Sequence, residues 1–386
     1  MVERTLGVEE ELLLVNPDTC ELESVSHRAM AAYDDERRGS AGSGEQEPDL
    51  LEQELFLQQL ETATPPRVDL GELRAEVLRC RRAAIAAAGA AGARVVASGT
   101  PVIGRPDLKV TPKSRYERIV QDFGEIGRQG AVCGMHVHVA IESDEEGVAV
   151  LDRIRPWLPV LLAISANSPY WHSRDTGYAS WRSQVWKRWP TAGPSEPFGD
   201  VAGYREAAAA LVEVGAAIDA GMLYFDARLA QAYPTVEIRV ADVCTEIDDV
   251  MLIAALCRGL VSAAAEDWRD GVPVPQWRTD VLRAAHWRAA RDGLTHHLLD
   301  PTDRRTKPAR DVLDALTGRV RPWLDASDDT AAVDSALERL LAGGAGATRQ
   351  RAVHESHGSL EAVVADLADR TEASAHQGDT GPAPAT

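Results

Sequence analysis

The sequence predicts an α+β protein with its strands in the first half and mainly helices in the second. Strand-like and helical segments alternate up to about residue 245, and apolar residues then recur with helical spacing. With 386 residues and 45% hydrophobic content, the chain can bury a large core. We expect one domain over residues 1–370, with a sheet-rich reactive part at 1–245, a helical part at 246–370 and a disordered tail at 371–386.

The first half opens with a predicted strand over residues 5–15, and a second segment ends where Pro65 and Pro66 stop regular structure. Asp69 is a predicted N-cap of the next helix. Pro156 and Pro159 should bend or break a long apolar helix. The remaining predicted elements are a strand at 93–101, a helix at 115–128, a strand at 131–141, the bent helix at 145–166, an aromatic-rich loop at 167–200, a helix at 204–218 and a hairpin formed by 223–229 and 234–242.

The second half is predicted to be helical because its apolar residues recur every three to four positions. The apolar faces could serve a homodimer interface or the core, since periodicity does not separate the two. The predicted helices are 246–268, 279–293, 309–320, 331–342 and 348–370.

Composition argues against several classes of partner. A formal net charge of −19 disfavours binding to nucleic acid and to anionic membrane surfaces. The N-terminus MVERTLGVEEE carries charges where a secretory signal needs an apolar core, and no segment approaches the roughly 20 apolar residues of a membrane span. We therefore expect a cytoplasmic protein acting on small molecules.

Three strand-like runs each place two ionisable residues two positions apart, on one face of a strand. They are Glu9 and Glu11 in LGVEEELLLV, His136 and His138 in GMHVHVAI, and Glu237 with Arg239 in PTVEIRVAD. Each pair alone is more simply a set of solvated acids, core histidines or a structural ion pair. Their recurrence favours a shared face whose charges a cation neutralises.

The ligand types favour a hard metal ion. Carboxylates dominate at Glu9, Glu11, Glu61 and Glu237 without cysteine, which suits Mg²⁺ or Mn²⁺ better than zinc. Because Mg²⁺ commonly bridges carboxylates to phosphates, a nucleotide is implied. The sequence has no glycine-rich phosphate loop, so metals and arginines would have to meet the phosphate charge.

The aromatic-rich loop offers further cations. Arg174, Arg182 and Lys187 could contact anionic groups while the aromatic side chains exclude water, or the loop could simply cover the core.

Five segments together resemble the glutamate–cysteine ligase type 2 family, the bacterial carboxylate–amine ligases: TLGVEEEL, ELFLQQLETATPP, GMHVHVAI, the tryptophan-rich loop and DARLAQAYPTVEIRVAD. The match runs from Thr5 to the helix after Asp242. It implies a glutamine-synthetase-like catalytic fold, in which a curved antiparallel sheet carries helices on its outer side and a helical C-terminal region follows.

The resemblance also implies a reaction in which ATP phosphorylates the γ-carboxylate of glutamate and the amine of cysteine attacks the acyl phosphate. By position, the metal ligands would be Glu9, Glu11, Glu61, His136 and Glu237. His138 and Arg239 would contact the nucleotide, Arg239 would also stabilise the transferring phosphoryl group, and Arg228 would bind a substrate carboxylate or a phosphate.

Three alternatives stay open at this point. Another amine could replace cysteine, for which the sequence carries no recognisable signature. A metal-dependent hydrolase could use the same acids and histidines to activate water. An inactive relative is disfavoured because every acid and Arg239 are present.

Overall fold

A computed structural model describes residues 3–40, 49–104 and 108–376. The strands are β1 (Leu6–Val15), β2 (Leu51–Gln53), β3 (Gln59–Ala63), β4 (Arg94–Val96), β5 (Gly134–Ala140), β6 (Tyr170–Trp171), β7 (Arg174–Asp175), β8 (Ala227–Leu229), β9 (Thr235–Asp242), β10 (His297–Asp300) and β11 (Arg305–Pro308). The helices are α1 (Ser26–Ser40), α2 (Leu70–Ala90), α3 (Ser114–Phe123), α4 (Glu125–Arg128), α5 (Asp144–Ile154), α6 (Leu158–Ser165), α7 (Arg182–Trp186), α8 (Val201–Glu213), α9 (Ile247–Arg269), α10 (Thr279–Asp292), α11 (Ala309–Ala326), α12 (Thr330–Gly343), α13 (Gly346–His357) and α14 (Leu360–His376).

The principal sheet is antiparallel and has the strand order β2-β3-β1-β5-β9-β8, with β4 pairing the end of β1. Strand β1 is central because it pairs β3 along one edge and β5 along the other. The predicted hairpin is confirmed, since β8 and β9 pair directly. Consecutive cross-strand pairs therefore carry side chains from five strands onto one continuous face.

The two faces of this sheet have different chemistry. On one face, Val8, Val137 and Ile238 occupy adjacent register positions and are buried in the main hydrophobic core with residues of α5, α6 and α9. The neighbouring positions along each strand point the other way, because side chains alternate. These positions hold the ionisable pairs singled out in the sequence, and the helices cover the apolar face.

Several local predictions are confirmed. The Asp69 side chain accepts a hydrogen bond from the backbone N–H of Glu72 and caps α2. The long helix is interrupted by a 3₁₀ turn at Arg155–Trp157, with Pro156 inside the turn and Pro159 in the first turn of α6.

Other predictions need correction. The helix expected over 348–370 is two helices, because Gly358 ends α13 in the left-handed conformation at φ 73°. The sequence reading missed α1 and the hairpin of β10 and β11. The tail was placed too early: residues 371–376 belong to α14, where Thr371 and Ala375 are fully buried. Residues 377–386 lie outside the described part of the chain.

Within the described residues, no helix combines the length and apolar character needed to cross a membrane.

Candidate functional site

The strand register brings the predicted ionisable residues together. Glu61 of β3 lies opposite Glu11 of β1, and Glu9 lies opposite His136 of β5. His138 lies opposite Glu237 of β9. We call the six side chains that meet on this face the acid–histidine cluster: Glu9, Glu11, Glu61, His136, His138 and Glu237.

Histidines form the centre of the cluster. The Nδ1 atom of His136 is 3.0 Å from Glu9 Oε2, and its Nε2 atom is 3.7 Å from Glu11 Oε1. The Nε2 atom of His138 is 3.2 Å from Glu9 Oε1, while its Nδ1 atom is 2.9 Å from the Thr235 hydroxyl. Thr235 therefore fixes the His138 ring through one nitrogen and leaves the other facing the acids.

Two arginines bind the far end of the cluster. Arg228 donates to both carboxylate oxygens of Glu237, at 2.6 and 3.1 Å, and Arg239 pairs with the same carboxylate. Arg239 Nη1 also lies 3.3 Å from His136 Nδ1. A bidentate pair of this kind holds its carboxylate firmly in place.

Charge balance differs along the cluster. Burial raises the pKa of Glu237, but Arg239 and Arg228 outweigh it and hold the pKa below its ordinary value, so this acid is ionised. Burial likewise opposes the ionisation of Glu9, but hydrogen bonds with His136 and His138 lower its pKa. At the other end, burial together with the charges of Glu54 and Glu9 raises the pKa of Glu61 well above its ordinary value. Burial and neighbouring acids therefore dominate the electrostatics at the Glu61 end.

The donor set fits a hard divalent cation. Three overlapping groups each bring ligand atoms within 4.8 Å of one another: Glu9 with His138 and Glu237, Glu9 with Glu61 and His136, and Glu11 with Glu54 and Glu61. The Nε2 atoms of both histidines are buried without a well-formed hydrogen bond. Burial and the charge of Arg239 lower the pKa of His136, which keeps its imidazole neutral and able to coordinate. Carboxylates outnumber imidazoles, which favours Mg²⁺ or Mn²⁺.

Four members of the cluster line a cavity of about 210 Å³: Glu9, Glu11, Glu61 and His136. The lining also contains residues to which the sequence analysis assigned no role: Glu54, Gln59, Arg115, Tyr116, Trp186, Trp189 and Tyr224. Burial raises the pKa of Tyr224 to about 12, so its phenol stays protonated at neutral pH. The tryptophans lie in the loop that the sequence indicated. Glu54 and Glu52, two positions earlier, have the same spacing as the other ionisable pairs, a signal that the prediction overlooked.

Of the three loop cations, Arg182 packs against the backbone of β5 and β9, the strands that carry His136 and Glu237. A Cβ atom at Gly134 would overlap the guanidinium of Arg182, and Gly134 lies on the cluster face two positions before His136. Lys187 and Arg182 both line a small neighbouring cavity with His286, and Arg174 is exposed in β7, outside both linings.

The buried carboxylate of Asp242 anchors the loop that carries these residues. It accepts hydrogen bonds from the Asn167 backbone and from the hydroxyls of Ser168 and Ser180, at 2.6 to 2.9 Å.

The antiparallel sheet, with helices on one face and clustered acids on the other, has the glutamine-synthetase-like fold. Solved structures agree on the fold. A bifunctional glutathione synthetase from Pasteurella multocida matches with TM-score 0.66 and 17% identity over 97% of this chain and 53% of that one. Glutamate–cysteine ligase from Francisella tularensis, solved with AMP, matches with TM-score 0.65 and 12% identity over 98% and 94% of the two chains.

Within that class, the chain belongs to the glutamate-cysteine ligase family 2, whose profile matches residues 5–366. Two relatives bear the names "Putative glutamate--cysteine ligase 2-1", from Nocardioides sp., and "Putative glutamate--cysteine ligase 2", from Streptomyces coelicolor. They are 50% and 46% identical to this chain, covering 96% of it in each case and 97% and 99% of their own lengths. Family membership confirms the resemblance seen in the sequence and indicates a ligase.

Proposed function

We propose that this protein is an ATP-dependent carboxylate–amine ligase that joins the γ-carboxylate of glutamate to the amine of cysteine. The observation that carries the proposal is the acid–histidine cluster, in which strand register aligns carboxylates and imidazoles beside Arg228 and Arg239. Phosphoryl transfer needs chiefly such positioning and charge neutralisation from a protein.

The reaction proceeds in two steps. An oxygen of the γ-carboxylate attacks the γ-phosphorus of ATP and releases ADP, which forms γ-glutamyl phosphate. The cysteine amine then attacks the acyl carbon, inorganic phosphate leaves, and the amine gives up a proton as γ-glutamylcysteine forms. No side chain of the enzyme has to act as a nucleophile.

The residues of the cluster have distinct roles in this proposal. Mg²⁺ or Mn²⁺, when bound, neutralises phosphate charge; the residues that would hold it are Glu9, Glu11, Glu61, His136 and Glu237, joined by Glu54. Arg239 stabilises the transferring phosphoryl group, and its side chain is already oriented by Glu237. His138 contributes to the nucleotide end and Arg228 to the substrate end, where it also lines the cavity. The cytoplasm, which supplies ATP and free thiols, is the compartment that we propose for the reaction.

The test is ADP release by the purified protein with Mg²⁺, ATP and L-glutamate, with and without L-cysteine, together with mass analysis of the product. ADP release that depends on cysteine and yields γ-glutamylcysteine supports the proposal. ADP release that depends on glutamate but not on cysteine overturns cysteine as the acceptor and retains the acyl phosphate. If no ATP is consumed with any amine, the proposal fails, and turnover of an amide substrate without ATP would identify a hydrolase.

A further inference from the structure

The cavity has three arginines in its lining, and they differ in what holds them. Arg228 and Arg239 are both engaged by the buried carboxylate of Glu237. Arg115, at the start of α3, is paired instead with Asp219, which precedes the lining residue Gly221 by two positions. Among the described lining residues, Arg115 is therefore the arginine whose charge is not already committed to the acid–histidine cluster.

The pair of Arg115 and Asp219 has the geometry of a carboxylate-binding site. Arg115 Nε donates to Asp219 Oδ2 at 2.9 Å, and Nη2 donates to Oδ1 at 3.0 Å. This two-point contact is the one by which a guanidinium recognises any carboxylate. Its side chains are 43% and 45% exposed, so the contact is screened by water and is readily exchanged.

Gly221 connects this pair to the substrate end of the cluster. A Cβ atom there would come within 2.9 Å of both Arg115 Nη2 and Asp219 Oδ1. The carbonyl of the same glycine accepts a hydrogen bond from Arg228 Nη1 at 2.9 Å. The absence of a side chain at position 221 therefore lets two cations flank one stretch of backbone at the cavity rim.

Resting on the proposed function, we propose that Arg115 determines specificity for the acid substrate. Its guanidinium exchanges Asp219 for a second carboxylate on an amino acid whose side-chain carboxylate is activated at the acid–histidine cluster. The substrate class is an α-amino dicarboxylic acid, because the lining presents the carboxylates of Glu9, Glu11, Glu54 and Glu61 and its other two arginines are already paired with Glu237. A substrate carboxylate without a cationic partner would be repelled there.

The exchange predicts opposite effects for the two partners. Arg115→Ala should raise the KM for L-glutamate about 10- to 100-fold, because it removes a charge-assisted hydrogen-bond pair. Asp219→Asn should lower that KM by up to about fivefold, since it releases a competitor worth no more than an exposed ion pair. If the ion pair of Arg115 and Asp219 were purely structural, both substitutions would instead raise the KM for L-glutamate.

The experiment compares four proteins: the wild type, Arg115→Ala, Asp219→Asn and the control Arg118→Ala. Arg118 lies on the same helix, is 63% exposed, pairs with Asp122 and does not line the cavity. Each protein is assayed for KM toward L-glutamate, 4-aminobutyrate and ATP. Because 4-aminobutyrate has the reacting carboxylate but lacks the second one, Arg115→Ala should abolish the preference for L-glutamate, and Arg118→Ala should retain it.

Calorimetric titration of L-glutamate into the protein with Mg²⁺ and a non-hydrolysable ATP analogue gives a readout that is independent of turnover. If wild type releases no ADP, the proposed function fails, while this titration still tests Arg115. Equal glutamate affinity in wild type and Arg115→Ala overturns the inference. A rise confined to the KM for ATP overturns it as well, because Arg115 would then contact phosphate.

Discussion

Three consecutive glutamates of β1 lie on opposite faces of the sheet, with Glu10 on one face and Glu9 and Glu11 on the other. Glu10 points into the helical layer, where Arg81 of α2 donates to its two oxygens at 2.6 and 2.9 Å. The remaining N–H groups of Arg81 donate to the carbonyls of Cys244 and Thr245 and to the Ser374 hydroxyl. Both partners are almost completely buried, and the exposed fractions of their side chains are 1% and 0%.

The other face of the same strand is not balanced in this way. Glu11 accepts a hydrogen bond from the Gly134 backbone at 2.5 Å, and the Nε2 atom of His136, whose pKa burial lowers, lies 3.7 Å from its carboxylate. The comparison shows that burial of an acid does not by itself mark a functional site. What separates the two faces is whether the protein supplies all of the partners, as it does for Glu10, or leaves room for a ligand.

Removing the partner of Glu10 should have the largest effect. Arg81→Met leaves a buried carboxylate without its cation and should lower the free energy of unfolding by about 3–5 kcal/mol. Chemical denaturation monitored by circular dichroism measures this loss. The control is Arg79→Met on the same helix, whose side chain is 33% exposed and which should cost less than about 1 kcal/mol. Equal losses in both variants would contradict the view of Glu10 as a completed structural pair.

Glu11→Gln and Arg239→Ala should give the reverse pattern on the opposite face. Each should reduce ADP release by at least about 10²- to 10³-fold, because in the proposed reaction each removes a charge that acts on the phosphoryl group or its metal. We expect the circular dichroism spectrum of both variants to match that of the wild type. Retained turnover in either variant would refute its assignment to the site.

The sequence predicted those features of the two sheet faces that depend on local patterns of residues. Alternation along a strand placed Glu9 and Glu11 on one face and Glu10 on the other, and the prolines predicted the break between α5 and α6. Alternation does not specify which strands are neighbours, so the pairing of Glu11 with Glu61 needed the register of β1 and β3.

Residues that reach the site from outside the strands of the principal sheet were not predicted. Glu54 lies outside a strand, and Arg115 lies at the start of α3, facing Asp219 more than a hundred positions away in sequence. The helix break at Gly358 was missed because apolar spacing continues on both sides of it. Such features depend on tertiary contacts and not on local periodicity.

A third buried titratable side chain, besides Glu10 and Glu11, lies in the helical half of the chain. His286 of α10 is 1% exposed and lies 3.1 Å from Asp226, near Lys187. Burial lowers its pKa to about 4, against the attraction of Asp226. The unfolded chain therefore takes up a proton first, so this contribution to stability is complete above pH about 6.5 and is lost as the pH falls toward 4.

The size of that loss follows from the same shift. The wild type should lose about 3 kcal/mol more stability than His286→Gln between pH 6.5 and 4, because the variant does not titrate there. Urea denaturation of both proteins at a series of pH values measures the difference. Parallel loss of stability in the two proteins would show that His286 is not the group responsible.

The smallest expected change in stability comes from comparing one isosteric substitution on each face of the sheet, Glu61→Gln on the cluster face and Glu10→Gln on the helical face. Glu61→Gln removes a carboxyl whose pKa is raised by burial and by Glu54, and in metal-free protein it should raise the free energy of unfolding by about 1 kcal/mol. Glu10→Gln should lower it, because Arg81 would remain buried with its charge no longer balanced. Added Mg²⁺ should stabilise the wild type and Glu10→Gln more than Glu61→Gln, since a bound ion stabilises the folded state by mass action. Thermal unfolding with EDTA and with Mg²⁺ measures both effects, and destabilisation by Glu61→Gln in EDTA would mean that this carboxylate serves the fold as Glu10 does.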